Sequence, residues 1–244
     1  MATIDNKTGK TSWRIAALTV APAVLLAALV AHPYIAGRLP NDDAVAEAVA
    51  AGTTRWGVVH LATSVASALV ILAFLAVRSY LHEAGEDRFS AGGMPFVILG
   101  STLFAVLPVM EFVPLGAAET GASTAEIAAA QDAITGWFVP VLLAGALTFA
   151  IGVFSFARAI SITTVGSLGL TRVVVASLIV MAVSRFVPLA AAQFYVHGVA
   201  AIVAMWPLAY AMGTQPVPVT AVGPAPRSRG DRAVAGGGPD LASG

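Results

Sequence analysis

Two near-copies, "EFVPLGAAE" (111–119) and "RFVPLAAAQ" (185–193), hold the most reactive residues of an otherwise apolar chain. The head of one is Glu111, which can take up or give a proton. The head of the other is Arg185, which can hold an anion. His60 and His197 add two imidazoles, with Ser64 one turn beyond the first and Gln193 one turn before the second. Together, His60, Ser64, Glu111, Arg185, Gln193 and His197 are the groups expected to line a polar binding site for a small molecule, an ion or a lipid headgroup. If a metal were bound, its ligands would be His60, His197 and Glu111, and two histidines on different helices at one depth can also ligate haem iron axially. The plainer reading makes Glu111 and Arg185 a structural ion pair between two helices. Each histidine is then satisfied by a nearby carbonyl or hydroxyl.

The elements that position these residues follow from composition. Of 244 residues, 58% are hydrophobic and 11% charged, and the mean hydropathy is +0.85. Soluble domains average about 25% charged residues, so a bilayer is the natural solvent and the lipid bilayer the first partner. Six apolar runs approach or reach the roughly 20 residues that cross it: Ile15–Ala31, Gly57–Val77, Met94–Val113, Phe138–Ala157, Leu170–Leu189 and Phe194–Met212. Unpaired backbone is not tolerated in lipid, so each run should be helical. The expected fold is an all-α integral membrane protein of six transmembrane helices, arranged as three hairpins. Residues 1–13 form an amino-terminal segment, 14–212 the membrane domain and 213–244 a Pro/Gly-rich tail expected to be disordered. No small-x-small cleavage site precedes His32–Pro33, so the first run reads as a retained span.

Basic residues orient the chain. Lys7, Lys10, Arg14, Arg78, Arg88, Arg158, Arg172, Arg227, Arg229 and Arg232 fall on one side, and Arg38, Arg55 and Arg185 on the other. By the positive-inside rule both termini are cytoplasmic. Trp13, Tyr80, Trp206 and Tyr210 should mark the inner interface, and Tyr34, Trp56, Trp137 and Tyr195 the outer one. Glu111, Arg185, His60 and His197 then lie within about a turn and a half of the outer face, with His32 close by. The inner ends offer only arginines placed to snorkel. Two outer connections should form short amphipathic helices lying over the site or at the interface. One is headed by Asp42 or Asp43, the other by the Ser123/Glu126 capping-box spacing.

Spacing turns the candidate residues inward. His60, Thr63, Ser64 and Ser67 share one helical face, as do Gln193, His197, Ala201 and Ala204. Ala144, Thr148 and Gly152 make a ridge of small residues suited to close helix contact. Pro33, Pro114 and Pro188 should each end an outward span.

Other chemistry is excluded or unsupported. The chain has no cysteine, which removes disulfides, thiolate metal sites and cysteine nucleophiles. "LHEAGED", with the exposed-loop candidate His82, lacks the second histidine of a zinc-protease motif. "TVGSLG" does not have nucleophile-elbow spacing, and a net charge of +0 points to no nucleic acid. The sequence therefore leans away from an enzyme and calls for no cofactor. Binding suits it better than transport, because no charge lies deep enough for a relay. A scaffold or subunit with a membrane-protein partner, or a homo-oligomer, is the alternative. The acidic "NDDAVAEAVAAGTTRWG" after the first run and "MWPLAY" near the end of the last give a layout, from Ile15 to Met212, that resembles uncharacterised six-helix bacterial membrane proteins. That resemblance implies a bacterial plasma membrane and supplies no activity.

Overall fold

The computed structural model describes residues 3–214, so the carboxy-terminal tail and its arginines lie outside the described residues. Within them the chain is helical: α1 (Thr3–Ala31), α2 (Asp42–Ala51), α3 (Thr53–Glu83), α4 (Arg88–Met110), α5 (Phe112–Glu119), α6 (Thr124–Thr163), α7 (Leu168–Ser184), a π-helical turn (Ala191–Val196) and α8 (His197–Thr214). Five stretches are long and apolar enough to cross a membrane: Thr11–Ala31, Thr53–Glu83, Arg88–Glu119, Thr124–Thr163 and Ala191–Thr214. The sixth apolar helix, α7, has 17 residues and is about 26 Å long.

Two helix ends lie four residues before a proline, although Pro22, Pro95, Pro108, Pro140 and Pro207 lie inside helices. A proline ring collides with the carbonyl four residues earlier. α4 stops at Met110, four before Pro114, and α7 stops at Ser184, four before Pro188. Beyond those stops the near-copies diverge. After one break residue, Glu111, the first copy re-enters a helix, with Pro114 in the first turn where it costs no hydrogen bond. The expected end of the span at Pro114 is therefore a break at Glu111 followed by continuation to Glu119. The second copy stays non-helical through Leu189, before the π-helical turn, and other backbone takes its polar groups there. Leu39 donates its N–H to the Pro188 carbonyl at 3.0 Å, and Arg38 bridges to Leu189.

The long helices close into a ring, in which α1 packs on α3, α3 on α4, α4 on α6, α6 on α7, α7 on α8 and α8 back on α1. The expected three hairpins are thus not separate units. α4 and α6 approach backbone to backbone through glycines seven apart on each helix, Gly93 and Gly100 against Gly145 and Gly152. A Cβ on Gly100 would lie 2.5 Å from the Phe149 nitrogen, and one on Gly152 2.7 Å from the Val97 nitrogen. Gly145 and Gly152 make this ridge. Ala144, expected to belong to it, is exposed, and Thr148 is half-buried.

At one end of the ring, where α1, α4 and α7 finish, the connections build a cap. Ile35, Val45, Ala46, Val49, Trp56, Ile127 and Ala190 form a second apolar cluster there. α2 is capped by Asn41, whose side chain accepts from the Ala44 N–H at 3.2 Å. Asp42 and Asp43, the expected caps, occupy its first turn instead. Burial, and then the Asp132 and Asp43 carboxylates, hold Asp42 above the usual carboxylate range. The Ser123/Glu126 capping box is present, but it opens no separate short helix. It starts the 40-residue α6, about 60 Å long, whose first turns rise through the cap into the span.

Aromatic residues divide similarly. Tyr34, Trp137, Trp13, Trp206 and Tyr210 are exposed, as an interface belt requires, whereas Trp56 and Tyr80 are each 1% exposed and belong to the core. At the far end Arg14 does not snorkel. It is 4% exposed and pairs with Glu83 at 2.6 Å and the Ser79 hydroxyl at 2.7 Å, tying α1 to α3.

Because no atom at the α4–α6 contact can retreat without moving backbone, Gly100→Ala is expected to cost at least about 1–3 kcal/mol. Gly92→Ala, where an added Cβ meets nothing within 4 Å, should be neutral or stabilising. Reversible unfolding of the purified variants in mixed micelles checks both.

Candidate functional site

The break at Glu111 creates the site. Its carbonyl lies where the helical ladder is interrupted, and Trp56, from the first turn of α3, donates its indole N–H to that oxygen at 3.1 Å. Trp56 then stacks on His60 one turn later, centroids 4.2 Å apart. The Glu111 side chain turns inward, and its Oε1 accepts from the Gln131 amide at 3.1 Å across to α6. Glu111 Oε2 and Gln131 Oε1 are buried and have no protein partner.

These groups border a cavity of about 120 Å³, comparable to pockets that admit one small organic molecule. Leu29 and Phe104 of the bundle and Ile35, Leu39, Pro40 and Val45 of the cap supply apolar wall. His32, His60, Glu111, Gln131, Arg185 and Gln193 supply the polar wall. Of the short cap helices, α2 contributes Val45 to the lining, and the α1–α2 connection contributes Ile35, Leu39 and Pro40.

Arg185 enters from the loop after α7. Its guanidinium carbon lies 4.2 Å from the centre of the Phe104 ring, a cation–π contact, and its buried Nε has no acceptor. No ion pair joins it to Glu111 among the described residues; the ion pairs there are Arg14–Glu83, Arg78–Asp87 and His82–Asp87. The expected Glu111–Arg185 bridge is replaced by two separate groups on one cavity: Gln131 holds the Glu111 carboxyl toward α6, and the Arg185 guanidinium lies over the Phe104 ring. Gln193 donates to the Val187 carbonyl at 3.0 Å.

Four of the expected site residues, His60, Glu111, Arg185 and Gln193, are brought together. Two are not. The Ser64 hydroxyl donates to the Ala105 carbonyl at 2.9 Å and ties α3 to α4. His197 is buried, as its helical face required, but its Nδ1 lies 2.9 Å from the Met181 carbonyl and 3.3 Å from the Ser184 hydroxyl. It borders a separate void of about 10 Å³, with Ser67, Phe104 and Arg185 common to both walls. His60 and His197 thus do not meet. No group of three histidine or acidic side chains is placed to hold a metal among the described residues, so the set His60, His197 and Glu111 is not assembled, nor is an axial histidine pair for haem. His82, expected in a loop, is exposed in the last turn of α3.

His32 and Gln131 are the functional candidates that helical periodicity did not select. His32 Nε2 lies 3.2 Å from His60 Nε2, and its ring packs against Phe194 with centroids 4.5 Å apart. Burial lowers its affinity for a proton below the usual histidine range; its bond to the Pro33 carbonyl works in the opposite sense, and Arg55 adds to the lowering. The signal for His32 was its place at the end of a span, level with His60.

No family model, curated protein or solved structure matches the chain.

Losing the indole N–H would strand a carbonyl at the α4–α5 break. Trp56→Phe should therefore lower stability by about 1–3 kcal/mol, whereas Trp137→Phe, at a residue 76% exposed, should change it by less than about 0.5 kcal/mol. Unfolding curves of both variants give the comparison.

Proposed function

We propose that this chain is a six-span protein of a bacterial plasma membrane, with both termini cytoplasmic, whose outward cavity binds a small molecule bearing an anionic group. The observation that carries this reading is Arg185. A guanidinium within a membrane domain is costly unless something answers its charge. Among the described residues it has a ring face and no acceptor. A carboxylate or phosphate entering the cavity can take its fork of donors. The unanswered acceptors of Glu111 and Gln131 suit a donor or cationic group on the same molecule, and the apolar remainder of the wall suits a compact hydrocarbon body. A zwitterionic or amphipathic small molecule satisfies all three.

The six-span reading takes α7 as the remaining crossing. Its length of about 26 Å lies at the short end of what spans a hydrocarbon layer of about 30 Å, and the Arg185–Ala190 segment extends it. Arg78 and Arg88 then flank the connection between α3 and α4 on the cytoplasmic side. With no native cysteine in the chain, orientation is directly measurable. A membrane-impermeant maleimide applied to intact cells should modify Ala125→Cys and leave Asp87→Cys untouched; the opposite pattern inverts the topology.

The alternative is a scaffold in which the same polar groups only fix helix packing. Arg185→Met separates the two. If Arg185 serves a ligand, the ligand-free variant should unfold at the same or a higher denaturant level than the parent. It should also lose any stabilisation that short carboxylates, amino acids or inorganic phosphate give the parent. A loss of about 2 kcal/mol or more in ligand-free protein, with no anion-dependent stabilisation of the parent, assigns the residue to packing.

A further inference from the structure

The contact between His32 and His60 leaves a charge unaccounted for. His32 Nδ1 lies 2.7 Å from the Pro33 carbonyl, and His60 Nδ1 lies 2.7 Å from the Trp56 carbonyl. A carbonyl only accepts, so each Nδ1 carries a hydrogen and donates it. A neutral ring protonated at Nδ1 has a bare lone pair at Nε2. The two Nε2 atoms are nevertheless 3.2 Å apart, so with both rings neutral two lone pairs face each other. A positive centre is needed at that point, either a proton that makes one ring an imidazolium or a metal ion.

The geometry suits a metal ion. Two nitrogens 3.2 Å apart, each at the usual 2.0–2.1 Å from a metal, subtend about 100–106° at the ion, close to a tetrahedral angle. The ring planes are inclined at 57° with centroids 4.7 Å apart, so the rings are tilted toward one another. The Nδ1–H to carbonyl bond on each ring is the outer contact that orients metal-binding imidazoles. The rings are also held from behind, His60 by Trp56 and His32 by Phe194. Both residues line the cavity, and its free space leaves room for water or a small ligand to fill the other coordination positions. Arg55, bonded to the Ala31 carbonyl at 2.9 Å, and Arg185 on the same cavity wall oppose a cation, whereas the Glu111 carboxyl on that wall offers it an unpaired oxygen.

We propose that His32 and His60 are the two protein ligands of a first-row divalent transition-metal ion, held on the cavity wall with its remaining positions open to the cavity. Imidazole suits zinc and copper, and copper(II) binds such sites most tightly.

The full chain, purified in detergent and stripped with a chelator, tests this with Zn²⁺ and Cu²⁺ alone. Calorimetric titration should show one Zn²⁺ per chain. His32→Asn and His60→Asn should each weaken it by at least about 30-fold, whereas His82→Asn and His197→Asn should bind as the parent does. Cu²⁺ on the unmodified chain should give an electron paramagnetic resonance spectrum with coupling to two imidazole nitrogens, which decides the matter even if a variant fails to fold. Absence of stoichiometric Zn²⁺ binding, equal binding in His60→Asn, or a copper spectrum without imidazole coupling would overturn the proposal. The site shares the cavity with the anion reading but stands apart from it, because Arg185→Met should abolish any anion-dependent stabilisation while binding Zn²⁺ at least as tightly as the parent.

Discussion

The indole of Trp56 on the carbonyl of Glu111 is the bond around which the cap end is organised. An interrupted helix inside an apolar slab exposes backbone oxygen that lipid cannot solvate. By answering that oxygen from α3, Trp56 lets α4 stop and restart at a single residue. The break turns the Glu111 side chain inward toward Gln131, and the stack of Trp56 on His60 sets the opposite wall. Without this bond the chain at 107–112 would have to run on as unbroken helix or find other donors. Either outcome would move Glu111 away from the space between α3, α4 and α6.

The two near-copies show how far local sequence reaches. That each copy breaks a helix was legible from its proline, but the place was not. The spans were expected to run to Val113 and Leu189, and the α-helices stop at Met110 and Ser184, while Pro22, Pro108, Pro140 and Pro207 lie inside helices. What followed was not legible. One copy resumes a helix and the other accepts a hydrogen bond from Leu39, a partner nearly 150 positions away in the chain. The burial of His60, Gln193 and His197 could be read from helical spacing, since a face is a local property. That His197 faces Met181 while His60 faces His32 depends on how neighbouring helices are rotated, and no single-helix pattern encodes that. Gln131 escaped notice for a related reason. Its stretch reads as a surface helix, and only continuity with the long span of α6 carries it inward.

The charge pattern misled in an instructive way. Opposite signs at matching positions suggested mutual neutralisation, but each charge has a nearer neighbour of another kind. Glu111 accepts from an amide, and Arg185 lies on an aromatic face. Neither interaction is an ion pair, so both groups remain separately on the cavity wall. At the far end Arg14 and Glu83, which have no matching motif, form the close pair. The ring is thus tied by an ion pair at the far end and lined by separate polar groups where it is hollow.

The π-helical turn at Ala191–Val196 sets a rotational phase. A turn of this kind holds one residue more than an α-helical turn, and each residue of an α-helix advances the side chains by about 100°. α8 must present Ala201 and Ala204 to the ring, and the chain just before it must present Gln193 and Phe194 to the cavity. The surplus residue sets the angle between these two obligations. It works as a gear offset, allowing the lining of the hollow to be indexed separately from the packing of the helix that follows. A lineage that lost one residue here would keep its bundle and face the cavity with different side chains.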